Sequence, residues 1–173
     1  FNFYRFKLKN SLQQFILLMI IIPDIIFAIA LLIFFNLFSF KLGFTTLLIA
    51  HISASFPFAT LLIQNRVNTL NKNLLLVSQD LGAYDFYAFR KIIFPLLKSA
   101  MLSAFFLSFL FSFDDVLISY FTSGPSYQLL PLYIYSMIRS GIQPEINALC
   151  SFLFLSSLII VSVSYPFMSS SKK

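Results

Sequence analysis

Three carboxylates stand in stretches that are otherwise apolar, Asp24 and the adjacent pair Asp114 and Asp115, in a chain with only six acidic residues. Placing a carboxylate near the centre of a bilayer costs about 2.5–3.5 kcal/mol, so these side chains are expected to face a protein interior or water. Carboxylates along such a path attract cationic groups, and nearby rings add cation–π contacts. We predict a path lined by Asp24, Asp114, Asp115 and Tyr120. The alternative, charges that are solvated at the membrane edge or bonded to another helix, stays open.

The other reactive side chains are isolated along the sequence. Cys150 is the single cysteine and lies in an apolar stretch, which excludes an internal disulfide and a cysteine-cluster metal site. His51 has no second histidine nearby, so we interpret it, like Asn36, as a polar group satisfied within a helix bundle. The sequence shows no His-rich or Ser/His/Asp grouping. It therefore predicts neither a catalytic nor a metal site.

The elements that must position these groups are membrane helices. Hydrophobic residues make up 59% of the 173 residues and charged residues only 10%, whereas a soluble domain carries roughly 25% charged residues. Four apolar stretches have the roughly 20 residues that a helix needs to cross the hydrocarbon core. The predicted spans are residues 15–35, 44–63, 96–120 and 146–167.

The basic residues predict the orientation of these spans. Ten of the 12 Lys and Arg residues lie on one side, and only Lys41 and Arg139 lie on the other. Basic residues near span ends are retained in the cytoplasm, so we expect a multi-pass membrane protein with both ends of this chain cytoplasmic. The net charge of +6 is then a topological signal, and no nucleic-acid partner is expected.

Residues 65–95, between the second and third spans, form a longer connection than a helix-to-helix turn requires. The first half has apolar residues at helical spacing, which predicts an amphipathic helix, at Leu70, Leu74, Val77 and Leu81. Gly82 permits a break, and a second short helix is predicted before Pro95. Its aromatic residues make a knob that fits a hydrophobic groove on a soluble partner. A hairpin lying on the lipid headgroups is the alternative.

This connection resembles the cytoplasmic coupling loop of bacterial ATP-binding-cassette importer permeases. The family motif reads Glu-Ala-Ala, three residues, Gly, nine residues, Ile, any residue, Leu, Pro. Here Ser78-Gln79-Asp80-Leu81-Gly82 is followed, after nine residues, by Ile92-Ile93-Phe94-Pro95. The resemblance implies that the loop docks on an ATPase subunit. The coupling residues would be Ser78, Gln79, Asp80, Gly82, Ala83, Tyr84, Phe86 and Pro95.

Further motifs resemble one branch of these permeases, the second permease subunit of spermidine/putrescine importers. They occur in the order and spacing of that branch and cover nearly the whole chain. They are Pro23-Asp24-Ile25, Ser112-Phe113-Asp114-Asp115-Val116, Thr122-Ser123-Gly124-Pro125, Leu130-Pro131-Leu132, Ile134-Tyr135-Ser136-Met137 and Pro144-Glu145-Ile146-Asn147-Ala148-Leu149.

The resemblance implies an all-α, type I (MetI-like) importer permease bundle that carries polyamines and lies in the bacterial inner membrane. Such permeases have six spans, so four spans and a coupling helix pair predict that this chain is a fragment without the first two. The implied partners are an ATP-binding-cassette ATPase dimer, a second homologous permease and an extracytoplasmic polyamine-binding protein, which could contact residues 122–145. The chain lacks a Gly-rich phosphate loop, so ATP would be hydrolysed by the partner and no cofactor is expected to bind directly.

One position departs from the family pattern. By register from Gly82, the acidic residue of the motif falls on Leu76, which supplies neither charge nor a hydrogen bond. An adapted partner, weak coupling and a degenerate, non-coupling remnant are all consistent with this change. A permease for another small cation or organic solute and a structural scaffold also stay open as alternatives.

Overall fold

The computed structural model describes residues 9–71, 73–125, 127, 129–141 and 144–169, and within these ranges the chain is helical and contains no strand. Hydrocarbon offers no hydrogen-bond partners, so a chain in lipid must satisfy its backbone internally, as a helix does. The predicted all-α membrane fold is confirmed.

The first two helices, α1 (Lys9–Ile21) and α2 (Asp24–Leu37), meet at a bend of 107°. The predicted single span over residues 15–35 is therefore wrong as one continuous helix. Pro23 causes the bend because it has no N–H for the helical ladder and keeps the preceding residue out of the helical region. The backbone at Pro23 is extended, and its carbonyl accepts two N–H groups of the first turn of α2 at 2.9 and 3.1 Å.

Helix α3 (Phe44–Thr69) is longer than the predicted span of residues 44–63 and continues into the connecting segment. The Thr46 hydroxyl accepts a hydrogen bond from the backbone N–H of Gly43 at 2.9 Å, which satisfies a donor at the helix start. It also lies 2.8 Å from the carbonyl oxygen of Thr122, to which it can donate. The start of α3 is thereby tied to a distant part of the chain.

The connecting segment folds into two short helices. They are α4 (Asn73–Asp80) and α5 (Asp85–Ala88), and α5 continues through a π-helical turn (Phe89–Ile93) into α6 (Phe94–Asp114). Gly82 ends α4 with a φ of +83°. The N–H groups of Gly82 and Ala83 bond to the carbonyls of Gln79 and Ser78 at 2.8 and 2.9 Å, the two bonds of a Schellman cap.

The apolar face predicted for this segment is wrong in its second half, whereas Leu70 packs against the buried cluster described below. Leu75 and Ser78 are the buried residues of α4, whereas Val77 is exposed and Leu81 is 83% exposed. Leu75 packs in a cluster with Ala88, Ile93 and Leu97. Three consecutive leucines, at residues 74–76, leave the inward face undecided by spacing, and contacts with α5 and α6 select it.

The third predicted span, residues 96–120, is also wrong as a continuous helix. Helix α6 ends at Asp114, and the short helix α7 (Leu117–Thr122) starts after a break. Two more helices follow, α8 (Leu130–Ser140) and α9 (Pro144–Ser169). Asp115 has an extended backbone, with φ −69° and ψ 127°, which interrupts the helical ladder.

Three helical stretches in the described ranges are long and apolar enough to cross a membrane. They are Phe44–Thr69, Asp85–Asp114 and Ile146–Val163, and the bent pair α1 and α2 would make a fourth span if it crosses as one unit. A buried cluster joins α2, α3 and α7 through Ala28, Phe35, Ala50, Ala54 and Ile118. Small residues in this cluster let the helix backbones approach closely, as membrane helix packing requires.

The loop after α7 packs tightly on the loop before α3. Gly124 has a φ of +70°, and a Cβ atom built there would lie 2.7 Å from the Leu42 carbonyl oxygen. Gly82 has a similar φ of +83°, but a Cβ atom there would meet nothing within 4 Å. The two glycines therefore share a backbone conformation and differ in crowding.

We expect Gly124→Ala to destabilise the protein clearly more than Gly82→Ala. Both changes incur the left-handed backbone strain of about 1–2 kcal/mol, and Gly124→Ala adds the cost of overpacking, typically about 1–3 kcal/mol. Apparent melting temperatures of the two variants in detergent measure the difference. Equal losses of stability would contradict the close approach of Gly124 to Leu42.

Candidate functional site: the helix break and the three carboxylates

The break between α6 and α7 is built around the carboxylate of Asp115. Its Oδ1 accepts a hydrogen bond from the N–H of Ile118 at 3.2 Å, and its Oδ2 accepts one from Ser119 at 2.7 Å. The first N–H groups of a helix have no partner within the helix, so an acidic side chain just before it satisfies them. The Asp115 side chain is 9% exposed. The Asp115 carboxylate therefore stabilises the start of α7 inside the bundle.

His51 on α3 lies against this break and contacts both Ser119 and Asp115. Its Nε2 lies 3.1 Å from Ser119 Oγ and 3.7 Å from Asp115 Oδ2. The residue is 9% exposed, and its Nδ1 is buried with no hydrogen-bond partner among the described residues. His51 therefore links α3 to α7 through one ring nitrogen and leaves the other unsatisfied.

Ser119, His51 and Asp115 are the residue types of a hydrolase triad, but their geometry is different. In a triad the hydroxyl and the carboxylate bind opposite ring nitrogens, so that the histidine can pass a proton between them. Here both groups face Nε2, and the 3.7 Å separation from Asp115 is longer than a hydrogen bond. The three residues form a structural tie between helices.

Asp115 and His51 line a cavity of about 360 Å³ between α3, α6 and the start of α8. Most of its wall is apolar, and three phenylalanines contribute to it, Phe44, Phe109 and Phe113. We call this space the aromatic cavity. Among the described residues that line it, Asp115 and His51 are the only titratable ones.

Asp114 is the last residue of α6, just before the break, and it is exposed. It lines a second cavity of about 490 Å³, between the end of α6, α8 and α9, to which Cys150 and Ser157 also contribute. Adjacent residues at a helix end point in different directions, about 100° apart in a regular helix. The two neighbouring carboxylates thus line different cavities, Asp115 the aromatic cavity and Asp114 the second one.

Asp24 lies in a third place, in the first turn of α2. It is exposed and borders a space of about 20 Å³, which also touches Ser53 and Pro57 and is about large enough for one water molecule. Tyr120 is exposed, pairs edge-on with Phe121, and lines none of these three cavities. The structure therefore does not bring the four predicted path residues into one cavity of this chain.

The predicted coupling residues divide between the inside and the surface of the helix pair. Ser78 is buried and donates a hydrogen bond to the Leu75 carbonyl at 2.7 Å. The Gln79 amide donates to Asp85 at 2.6 Å, which connects α4 to α5 across the Gly82 turn. The remaining side chains are outward-facing or half-buried. They are Asp80, Ala83, Tyr84, Phe86 and Pro95.

Sequence reasoning missed the grouping of His51 with Ser119. The two residues are 68 positions apart, and the apolar stretches around each resemble ordinary bundle helices. The one available signal was the coincidence of a histidine in one span with a carboxylate in another. A buried carboxylate at membrane depth requires partners, and His51 was a candidate partner on residue type alone.

Helical stretches long and apolar enough to cross a membrane define the class of this protein, an all-α membrane protein. Over residues 2–170 the chain matches the family of binding-protein-dependent transport system inner membrane components, and it belongs to that family. The resemblance to importer permeases is thereby confirmed.

Individual relatives have narrower names. The chain is 42% identical over 161 residues to the spermidine/putrescine transport system permease protein PotC of Escherichia coli strain K12, covering 93% of this chain and 61% of that protein. The protein of the same name from Haemophilus influenzae is 40% identical, with 93% and 63% covered. The putrescine transport system permease protein PotI of Escherichia coli strain K12 is 29% identical, with 99% and 63% covered. The chain thus spans about three-fifths of the length of these relatives.

We expect Asp115→Ala to lower the free energy of unfolding by about 1–2 kcal/mol, because it removes both acceptors at the start of α7. Asp115→Asn keeps one oxygen acceptor and is expected to lose less. Asp114→Ala is the matched control, because its exposed side chain has no comparable bond. Thermal unfolding in detergent measures all three variants. Equal stability of Asp115→Ala and Asp114→Ala would contradict the capping role.

Proposed function

We propose that this chain is the membrane-spanning permease subunit of an ATP-binding-cassette importer that carries polyamines, spermidine or putrescine, into the cytoplasm. The observation that carries this proposal is the 42% identity, over 93% of the chain, to a spermidine/putrescine permease. The carboxylates at membrane depth agree with a cationic solute, since each attracts ammonium groups without the help of a metal.

The proposed topology places the coupling helix pair and both ends of the chain in the cytoplasm. Its support is the distribution of Lys and Arg, which are retained on that side. Arg66 and Lys98 lie at the cytoplasmic ends of α3 and α6 in this topology. Arg66 donates a hydrogen bond from Nε to the Leu96 carbonyl at 3.3 Å, which links the two helices at that level.

The proposed ATPase contact is the outer surface of the coupling helix pair. Tyr84 is 85% exposed, and Phe86 and Leu81 are also largely exposed, so large apolar side chains of this helix pair are open to a partner. Exposed apolar patches of this kind mark protein interaction sites, and aromatic residues dominate the energetics of such contacts. Leu76 is exposed on the same helix pair, where an adapted ATPase would meet an apolar side chain.

The other proposed partners complete the transporter. A second homologous permease would pair with this one, and the solute path would then run between two subunits. In that arrangement Asp24, Asp114 and Asp115 need not share a cavity within one chain. An extracytoplasmic polyamine-binding protein would deliver the solute to the side on which α7 and α8 lie. Residues 122–145 are the proposed contact.

Uptake by the complete transporter tests the proposed solute. We expect ATP-dependent uptake of radiolabelled spermidine or putrescine in cells that otherwise lack polyamine uptake, and a roughly five- to tenfold loss of kcat/KM in Asp114→Asn, because one attracting charge is gone. Asp114→Glu retains the charge and is expected to retain most uptake. A correctly assembled wild-type transporter that takes up neither polyamine would contradict the proposed solute.

A second test concerns the ATPase contact. We expect Tyr84→Ala and Phe86→Ala each to weaken binding of the ATPase subunit about tenfold or more, since buried aromatic anchors contribute most of an interface's energy. Phe152→Ala on α9 is the matched control, because Phe152 is similarly exposed but lies in a membrane span. ATPase retained on detergent-solubilised permease is the measurement. Equal retention by all three variants would place the contact elsewhere.

A further inference from the structure

A buried proline interrupts the hydrogen bonding in the middle of α3. In a regular helix the N–H of residue 57 bonds to the carbonyl of Ser53, but Pro57 has no N–H to donate. The two nearby hydroxyl groups bond elsewhere. Ser53 Oγ donates to the Ile49 carbonyl at 2.7 Å. Ser55 Oγ donates to the His51 carbonyl at 2.8 Å. The Ser53 carbonyl therefore lacks its regular donor at membrane depth.

The smallest of the three cavities lies at this point of α3. Its volume is about 20 Å³, and both Ser53 and Pro57 line it. We call this space the proline cavity. A helical carbonyl points along the helix axis toward the residue four positions later, so the Ser53 carbonyl is directed toward Pro57, along this wall of the cavity. The cavity and the missing hydrogen bond therefore coincide.

The polar side chains around the proline cavity are acceptors. Among the described residues that line it, Asp24 and Ser53 are polar and the others are apolar. An ionised carboxylate such as that of Asp24, in the first turn of α2, can only accept hydrogen bonds. The Ser53 hydroxyl gives its hydrogen to Ile49 and keeps its lone pairs. Two helices thus direct oxygen acceptors at the same small space, which calls for a donor.

The size of the proline cavity selects that donor. A volume of about 20 Å³ holds one water molecule and leaves no room for an alkylammonium chain. Water carries two hydrogens, so one molecule can bond the Ser53 carbonyl and the Asp24 carboxylate together. Prolines are tolerated in membrane helices where ordered waters satisfy the backbone groups that they free. Water therefore fits the cavity in both volume and hydrogen bonding.

We propose that the proline cavity binds one ordered water molecule, which donates one hydrogen bond to the Ser53 carbonyl and one to the Asp24 carboxylate. The water replaces the hydrogen bond that Pro57 removes from α3, and it links α3 to the first turn of α2. Asp24 thereby acquires a structural role next to the proline. This inference does not depend on the proposed transport function.

Radiolytic footprinting detects such a water, because an X-ray pulse converts bound water into hydroxyl radicals that oxidise the side chains beside it. Met19 lines the proline cavity, and its sulfur is readily oxidised. Met101 is exposed on α6 and lines none of the three cavities, so it serves as the internal reference for radical dose. The sample is the full-length protein in lipid nanodiscs, and mass spectrometry measures the oxidation rate of each methionine.

Two leucine substitutions on α3 separate water in the cavity from water in the bulk. Ser53→Leu fills the proline cavity with an apolar side chain, whereas Ser55→Leu makes the same change outside its lining. We expect the oxidation rate of Met19, relative to Met101, to fall several-fold in Ser53→Leu and to stay near the wild-type value in Ser55→Leu. An unchanged rate in Ser53→Leu would overturn the water site, because bulk water would then be the source of the radicals.

A third variant tests whether the water replaces the missing hydrogen bond. Pro57→Ala restores an N–H four residues after Ser53, and alanine is a good helix former, so the variant is expected to fold. We expect the oxidation rate of Met19 to fall in this variant, although alanine is smaller than proline and leaves more room. A rate retained at the wild-type value would show that water only fills the space, and would overturn its proposed bond to the Ser53 carbonyl.

Discussion

The need to satisfy backbone hydrogen bonds in an apolar solvent governs where this chain can depart from a helix. Three departures in the described bundle have hydrogen-bond partners of this kind. The carbonyl of Pro23 accepts hydrogen bonds from two N–H groups in the first turn of α2, those of Ile26 and Phe27. The Thr46 hydroxyl accepts one from the N–H of Gly43, and Asp115 accepts two from N–H groups of α7. Inserting a carboxylate costs about 2.5–3.5 kcal/mol, and two hydrogen bonds to a charged group contribute about 1.5–3 kcal/mol each. The two hydrogen bonds therefore offset the cost of inserting the Asp115 charge, so its structural role alone explains its presence.

The same region is fixed to α3 by several independent contacts. His51 reaches Ser119, the Thr46 hydroxyl reaches the Thr122 carbonyl, and Gly124 allows the following loop to lie against Leu42. These contacts involve the middle of α7, its C-terminal end and the loop that follows it. A six-residue helix has little stability of its own, so its position depends on them. The aromatic cavity keeps its shape for the same reason, because Asp115 and Ser119 are part of its wall.

Composition and motif spacing were sufficient for the membrane class, the family and the helix pair joined at Gly82. They were insufficient where a local rule was ambiguous or a partner was distant. The apolar stretch that contains Asp114 and Asp115 was predicted as one span. The spacing of its apolar residues does not show that the Asp115 carboxylate accepts hydrogen bonds from N–H groups at the start of α7, where the helix is interrupted. Leucines at residues 74–76 gave no unique inward face. The proximity of His51 to Asp115 required the packing of α3 on α7, which only tertiary structure provides.

The helical stretch made of α5, the π-helical turn and α6 connects the proposed ATPase contact with the carboxylates of the proposed solute path. Asp85–Asp114 is one uninterrupted helical stretch of 30 residues, which at 1.5 Å per residue extends about 45 Å. At one end it carries Phe86 on the coupling surface, and at the other it reaches Asp114 and the break at Asp115. A helix is stiff along its axis, so a displacement imposed on the coupling helix pair reaches the cavities undiminished unless the helix bends. The π-helical turn at Phe89–Ile93 is the irregular point along its length and lies on the coupling side of the bundle. In the proposed transporter, bending at this turn would weaken the link between the ATPase contact and the carboxylates, and the packing of Ile93 in its buried cluster opposes such bending.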